Sequence, residues 1–185
     1  MIKIFGGLAK GLTLKSPPNL KTRPTSILLR RKFFDSMQSL EGFHFFDLCA
    51  GTGSVGLEAA SRRAESVTFI ENYKSVYKVL KDNVKLLSDR HPELRSLKTH
   101  FIDFKKFMQR QSFGPNTILF FDPPYEKREE YQAFFNLLKE KEFSGKVIVE
   151  GCENKTMPLN EFYQVFGEPQ KTYKQSQHYF VVYEY

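Results

Sequence analysis

From Phe43 onward, short apolar runs alternate with stretches of helical periodicity, Tyr73 to Leu87 and Glu129 to Lys139 among them. This alternation constrains the chain more than any other feature. Strand, helix and strand in series form crossover units, and such units build a parallel sheet with helices packed on its faces. Sheets of this kind bind ligands beyond the C-terminal ends of their strands. The runs are Phe45-Phe46 before Asp47, Val67 to Ile70 before Glu71, Thr99 to Ile102 before Asp103, Thr117 to Phe121 before Asp122, and Lys146 to Glu150. Phe162 to Phe166 and His178 to Tyr183 read as closing strands, the last alternating and antiparallel, with Gln170 to Gln177 a polar connection. The expected class is α/β, with a Rossmann-like, mostly parallel seven-stranded sheet and an antiparallel last strand.

The run Thr117 to Phe121 delivers Asp122-Pro123-Pro124-Tyr125 as a polar tip at the end of a buried strand. That tip suits methylation of a planar amino group. An exocyclic amine on a nucleobase delocalises its lone pair into the ring, so its nucleophilicity depends on acceptors that hold the N–H bonds and favour pyramidal nitrogen. The Asp122 carboxylate and the Pro123 carbonyl are candidate acceptors, because consecutive prolines fix φ and remove backbone donors. Tyr125 offers a ring for stacking a base. Taken alone, the tetrapeptide is equally a proline-rich turn carrying a solvent-exposed acid.

Upstream, Asp47 leads into a loop with Gly51 and Gly53 and then a helix containing Gly56. The two loop glycines admit backbone angles and ligand approach that a Cβ forbids, and Gly56 lets the helix pack closely on the strand. Glu71 follows Asp47 by 24 positions, near the roughly 20-residue spacing of a ribose-binding acid. A nucleoside cofactor across two adjacent strand ends follows. A dinucleotide and S-adenosylmethionine both remain open; Asp47 beside the loop would repel a pyrophosphate but suits an ammonium or sulfonium charge, which favours S-adenosylmethionine.

With these elements placed, the chain resembles the class I methyltransferases and is most similar to the bacterial RsmD-like family, which methylates guanine N2 in small-subunit (16S) ribosomal RNA. The resemblance runs nearly end to end. It takes in Ile2 to Gly7 with Lys10-Gly11, Arg23-Pro24-Thr25, the segment from Arg30 to Phe34, the stretch from Asp47 to Ala59, Glu71, Asn83, Asp103 and Asp122-Pro123-Pro124-Tyr125. It implies an rRNA (guanine-N2)-methyltransferase that uses S-adenosylmethionine. Asp47, Gly51 and Gly53 would then face the methionine end, Glu71 the ribose hydroxyls, and Asp103 the adenine amine, with Phe104 as an apolar wall. Asp122, Pro123 and Tyr125 would handle the target guanine. The sequence departs from the family pattern at Arg31, where an acid commonly follows Arg30, and at apolar Ile27-Leu28, where charged residues are usual. Two alternatives stay open: an N6-adenine methyltransferase acting on RNA or DNA, and an inactive RNA-binding member of the fold.

Charge locates the expected partner. The net charge is +7, and residues 1–40 hold eight Lys or Arg against the single acid Asp35, while the remainder balances 20 basic residues with 20 acidic ones. A basic leading segment on a neutral body suggests that the segment grips phosphates, with Lys10, Arg23 and Arg30 as candidate RNA contacts. Glycines near positions 6 and 10 predict an N-terminal hairpin, and Pro24-Thr25 predicts a helix to about Gln38. Residues 1–40 therefore form a small RNA-facing extension, and 41–185 the methyltransferase domain. Cys49 and Cys152 lack metal-ligand or C-x-x-C spacing, no metal is expected, and no apolar run approaches a membrane span. The chain reads as a soluble, cytoplasmic monomer whose four scattered histidines carry no catalytic role. Its 19 phenylalanines read as core.

Overall fold

The computed structural model describes residues 2–17, 27–37, 39–94 and 96–185. Strands β1 (Ile2–Lys3) and β2 (Thr13–Leu14) pair antiparallel as the expected hairpin, followed by helix α1 (Ile27–Met37). Arg23 and the helix start predicted at Pro24-Thr25 lie outside the described residues, as does Gln38. The body then alternates as β3 (His44–Asp47), α2 (Ser54–Ser61), β4 (Ser66–Glu71), α3 (Lys74–Arg90), β5 (Leu97–Phe101), α4 (Phe104–Arg110), β6 (Thr117–Phe121), α5 (Arg128–Glu140), β7 (Lys146–Cys152), α6 (Leu159–Phe166), β8 (Lys171–Gln175) and β9 (His178–Glu184). Strands β3 to β9 make one seven-stranded sheet in the order β5-β4-β3-β6-β7-β9-β8. It is parallel except at β9, which runs antiparallel to both its neighbours.

Two segments differ from expectation. Phe162 to Phe166 belongs to α6, not to a strand: Phe162 and Phe166 are four apart, lie on one helix face and pack around Phe135, with Phe135 and Phe166 stacked at 4.3 Å. The expected polar connection, Gln170 to Gln177, contains β8, whose polarity reflects its place at the sheet edge, where lysines discourage pairing with another chain. Only Tyr173 among its residues is buried.

Adjacent aromatic residues divide the core between the two faces of the sheet. Side chains alternate along a strand, so Phe45 and Phe120 join the cluster beneath α1 and α2, while Phe46 and Phe121 join the cluster beneath α4, α5 and α6. Phe121 stacks on Phe134 with centroids 4.2 Å apart. Central strands covered on both faces have no polar side, and all five residues of β6 are buried.

The N-terminal hairpin is built into this body. Ile2, Ile4, Leu12 and Leu14 share a cluster with Phe45 and Phe120. Fully buried Glu58 accepts from the Phe5 N–H (2.7 Å), the Gly6 N–H (2.9 Å) and Arg62 Nε (3.0 Å). Ser61 accepts from the Ala9 N–H and donates to the Gly6 carbonyl. Gly7 holds φ +71, and a Cβ there would stand 1.9 Å from the Ser61 carbonyl oxygen, so close approach of the hairpin to α2 requires glycine. Asn83 accepts from the Lys15 N–H and donates to the carbonyls of Lys15 and Thr52, tying the hairpin's exit to the glycine loop. No helix among the described residues is long and apolar enough to cross a membrane.

Removing the Glu58 carboxylate leaves the Phe5 and Gly6 amides without their acceptor and takes from buried Arg62 one of its two carboxylate partners, Asp35 being the other. Glu58→Ala is expected to cost about 3–5 kcal/mol, the usual cost of breaking a buried ion pair, read as a lowered urea midpoint. An unchanged midpoint would show that the hairpin docks through apolar contact alone.

Candidate active site

Strand order places the site. The chain steps outward from β3 to β4 and β5, then returns to lay β6 on the other side of β3, and the switch point between β3 and β6 opens a crevice at their C-terminal ends. A cavity of about 440 Å³ occupies it, within the range of small-molecule sites. Asp47, at the end of β3, and Asp122, after β6, both line it, as do Gly51, Glu71, Asp103, Phe104, Pro123 and Tyr125. Of the predicted cofactor and target residues, all but Gly53 line this one cavity, which Ile2 of the hairpin also borders.

Asp47, Glu71 and Asp103 are each held by backbone amides. Asp47 is buried and accepts from the Gly56 N–H in the first turn of α2 (2.9 Å). Burial pushes its carboxyl up to about 7, against the lowering effect of that hydrogen bond. Glu71 accepts from the Gly51 N–H with one oxygen and the Tyr73 N–H with the other, joining the glycine loop to the entry of α3. Burial raises its pKa as well. Asp103 caps α4, accepting from the Lys105 N–H at 2.9 Å, while still facing the cavity. Gly51 and Gly53 both hold positive φ, at 55° and 85°. A Cβ on Gly53 would press to 2.7 Å from Leu80, whereas Gly51 has open space before it. Gly56 meets the Phe69 ring where its Cβ would be, so the close helix packing that the sequence suggested falls on the neighbouring strand β4.

Phe104 is buried and packs on Phe121 at 4.8 Å, forming an apolar wall. Cys49 also lines the cavity, and burial with Asp122, Glu71 and Asp47 close by raises its thiol pKa, so it stays protonated. No group of three or more His, Cys, Asp or Glu among the described residues could hold a metal ion.

Two sequence expectations need correction. Arg30 is not available to RNA: it is buried, donating to the carbonyls of Lys3 (2.7 Å) and Ser54 (3.3 Å), with its guanidinium over the Phe5 ring. It braces α1 against the hairpin and the start of α2. Tyr125 is a cavity wall and not an open stacking platform, because its hydroxyl donates to buried Glu150 (2.6 Å) and draws the residue to 4% exposure. Lys10 does stand exposed in the hairpin turn. Sequence reading missed Glu150 and His178, which meet at Tyr125. An acid ending an apolar strand was the available signal for Glu150; nothing in spacing pointed to His178.

The fold and its switch-point cavity define a class I methyltransferase. The chain belongs to the family whose model, described as Conserved hypothetical protein 95, matches residues 2–182, the RsmD-like family that its motifs resemble. It is 29% identical to "Ribosomal RNA small subunit methyltransferase D" of Haemophilus influenzae over 92% of this chain and 80% of that protein. Among solved structures, it superposes on the Escherichia coli protein yhhF with a TM-score of 0.74 at 25% identity, covering 99% of this chain and 97% of that one. The N-terminal domain of human METTL16, solved in complex with SAH, shares the fold at 15% identity and a TM-score of 0.65, over 92% of this chain and 74% of that one.

Asp47 gives a pH signature without cofactor. Unfolded, it ionises near its ordinary 3.8; folded, it resists until about 7. Ionisation therefore favours the unfolded chain across that window, and this group's contribution to stability falls as pH rises through it. Asp47→Asn keeps an acceptor for the Gly56 N–H and removes the ionisation. Its melting temperature relative to the unsubstituted protein is expected to be higher at pH 8 than at pH 5; a gap independent of pH would contradict the assignment.

Proposed function

We propose that this protein methylates the N2 amine of a guanine in small-subunit ribosomal RNA, using S-adenosylmethionine. The observation that carries this reading is the single cavity in which the Asp122-Pro123-Pro124-Tyr125 tip of β6 faces Asp47, Glu71 and Asp103. Relatives named for ribosomal RNA methylation support the substrate class, and the resemblance at Gly6-Gly7 and Arg23-Pro24-Thr25 supports the guanine amine.

The residues present fit the cofactor. Asp47 suits a sulfonium or ammonium charge, and a nearby cation lowers a carboxyl pKa that burial has raised. Glu71 retains lone pairs for hydroxyl donors beyond its two amides, since a carboxylate accepts about four hydrogen bonds. Asp103 and Phe104 provide an acceptor and an apolar wall at the far side. Bound there, S-adenosylmethionine supplies a methyl group on a good thioether leaving group, so the chain needs neither a covalent nucleophile nor a strong base.

Positioning is what the chain contributes. The Pro124 carbonyl accepts from the Lys127 N–H (3.0 Å) and is committed to the turn, so Asp122 and the Pro123 carbonyl are the pair that would orient the guanine amine. Orientation and charge placement of this kind supply most of the rate in such reactions. A base must leave its stack to enter a strand-end cavity, which favours a looped or single-stranded guanine. Tyr125, as a wall of that cavity, would meet the base after entry. Exposed Lys10 and the basic leading segment, including Arg23, would hold phosphates outside it.

Asp122→Ala is expected to reduce methyl transfer to small subunits lacking the modification by about 100-fold or more, with cofactor affinity kept within a few-fold by calorimetry. Mass spectrometry of digested RNA should place the label in N2-methylguanosine. Label in N6-methyladenosine would replace the guanine reading, and RNA binding without label would leave a binding protein.

A further inference from the structure

We propose that Glu150 and His178 are positioning residues that latch Tyr125 and thereby set the Asp122 and Pro123 acceptors; this rests on the methyltransferase reading above. Glu150 is fully buried in β7, a strand otherwise apolar at its centre. A carboxylate there is costly unless partners satisfy it. One of its oxygens accepts from the Tyr125 hydroxyl at 2.6 Å, a length typical of a charge-assisted bond. His178 Nδ1 lies 3.1 Å from the same hydroxyl and 3.8 Å from the same Glu150 oxygen.

Strand register explains why these two residues meet. Glu150 pairs with Phe180 across β7 and β9, and Cys152 pairs with His178, so Glu150 and His178 are diagonal neighbours on one face of the sheet. Proton accounting then assigns their roles. A tyrosine hydroxyl has one hydrogen; with that hydrogen given to Glu150, His178 must donate from Nδ1 to the phenol oxygen. Tyr131 adds a third hold by donating to the Glu150 carbonyl (3.0 Å), fixing α5 to the same point of β7. Burial and the nearby carboxylates push the Tyr125 phenol up, so it remains a donor at any working pH.

The latch reaches the reacting groups through a stiff connector. Pro123 and Pro124 each have φ fixed by the ring, and the Pro124 carbonyl is bonded to the Lys127 amide. With Tyr125 anchored at one end and Asp122 continuing buried β6 at the other, little freedom is left between them. Loss of the anchor loosens the acceptors without touching Asp47, Glu71 or Asp103.

Tyr125→Phe is expected to lower kcat for RNA methylation about ten- to 100-fold while leaving KM for S-adenosylmethionine within two-fold. His178→Ala should lower kcat similarly, and His178→Asn, whose amide N–H can stand near Nδ1, should recover most of it. Tyr125→Phe combined with Glu150→Gln should be no slower than the worse single variant, because the pair acts as one unit. Urea midpoints of the same cycle give a second reading independent of activity, expected to be non-additive. Normal kcat in Tyr125→Phe, or additive effects in both measures, would overturn the latch. An inactive unsubstituted protein with a non-additive urea cycle would instead overturn the methyltransferase reading, leaving Tyr125, Glu150 and His178 as a structural brace with no catalytic acceptors to set.

Discussion

Two-sided burial of β3 and β6 governs this molecule. Both strands sit at the middle of the sheet with helices on each face, and neighbouring phenylalanines go one to each side, Phe45 and Phe120 to one, Phe46 and Phe121 to the other. Along its buried length a strand so placed has no position for a polar side chain without cost. Polar chemistry is displaced to its C-terminal end, where Asp47 and Asp122 emerge beside each other at the point where the strand order reverses. The site's location is thus a consequence of core packing.

Gathering carboxylates in one partly enclosed cavity has an electrostatic consequence. Burial raises the pKa of Asp47 and Glu71, and backbone amides of Gly56, Gly51 and Tyr73 offset only part of that cost. A cavity of this kind favours a ligand that brings positive charge and disfavours one that brings phosphate. The body outside the leading segment carries balanced charge, so the excess of basic residues and the carboxylates of the cavity are separate along the sequence. That separation suits an enzyme taking a small cationic cofactor and a large anionic substrate.

Much of this was legible in sequence because it depends on local rules. Glycines before a helix, acids at the ends of apolar runs and the alternation of strand with helix gave the cavity residues and the parallel sheet. The failures came where tertiary context decided. Phe162 and Phe166 have aromatic side chains that suit a strand, yet packing against Phe135 makes them a helix face. Edge position, not composition, explains polar β8. Arg30 looked like a phosphate contact because charge is usually exposed, but carbonyls of Lys3 and Ser54 hold it inside. The meeting of His178 with Tyr125 spans 53 positions, and no local pattern encodes it.

The docking of the hairpin onto α2 and α3 also bears on the order in which the chain acquires structure. Its polar anchors lie 52, 53 and 68 positions downstream, at Ser61, Glu58 and Asn83. During synthesis the hairpin emerges before any of them, and two strands of two residues each cannot hold a fold alone. It waits, with Ile2, Ile4, Leu12 and Leu14 uncovered, until α2 and α3 have followed. The segment that borders the cavity at Ile2 is therefore made before the anchors that hold it, and it can be fully secured only once Asn83 has been added.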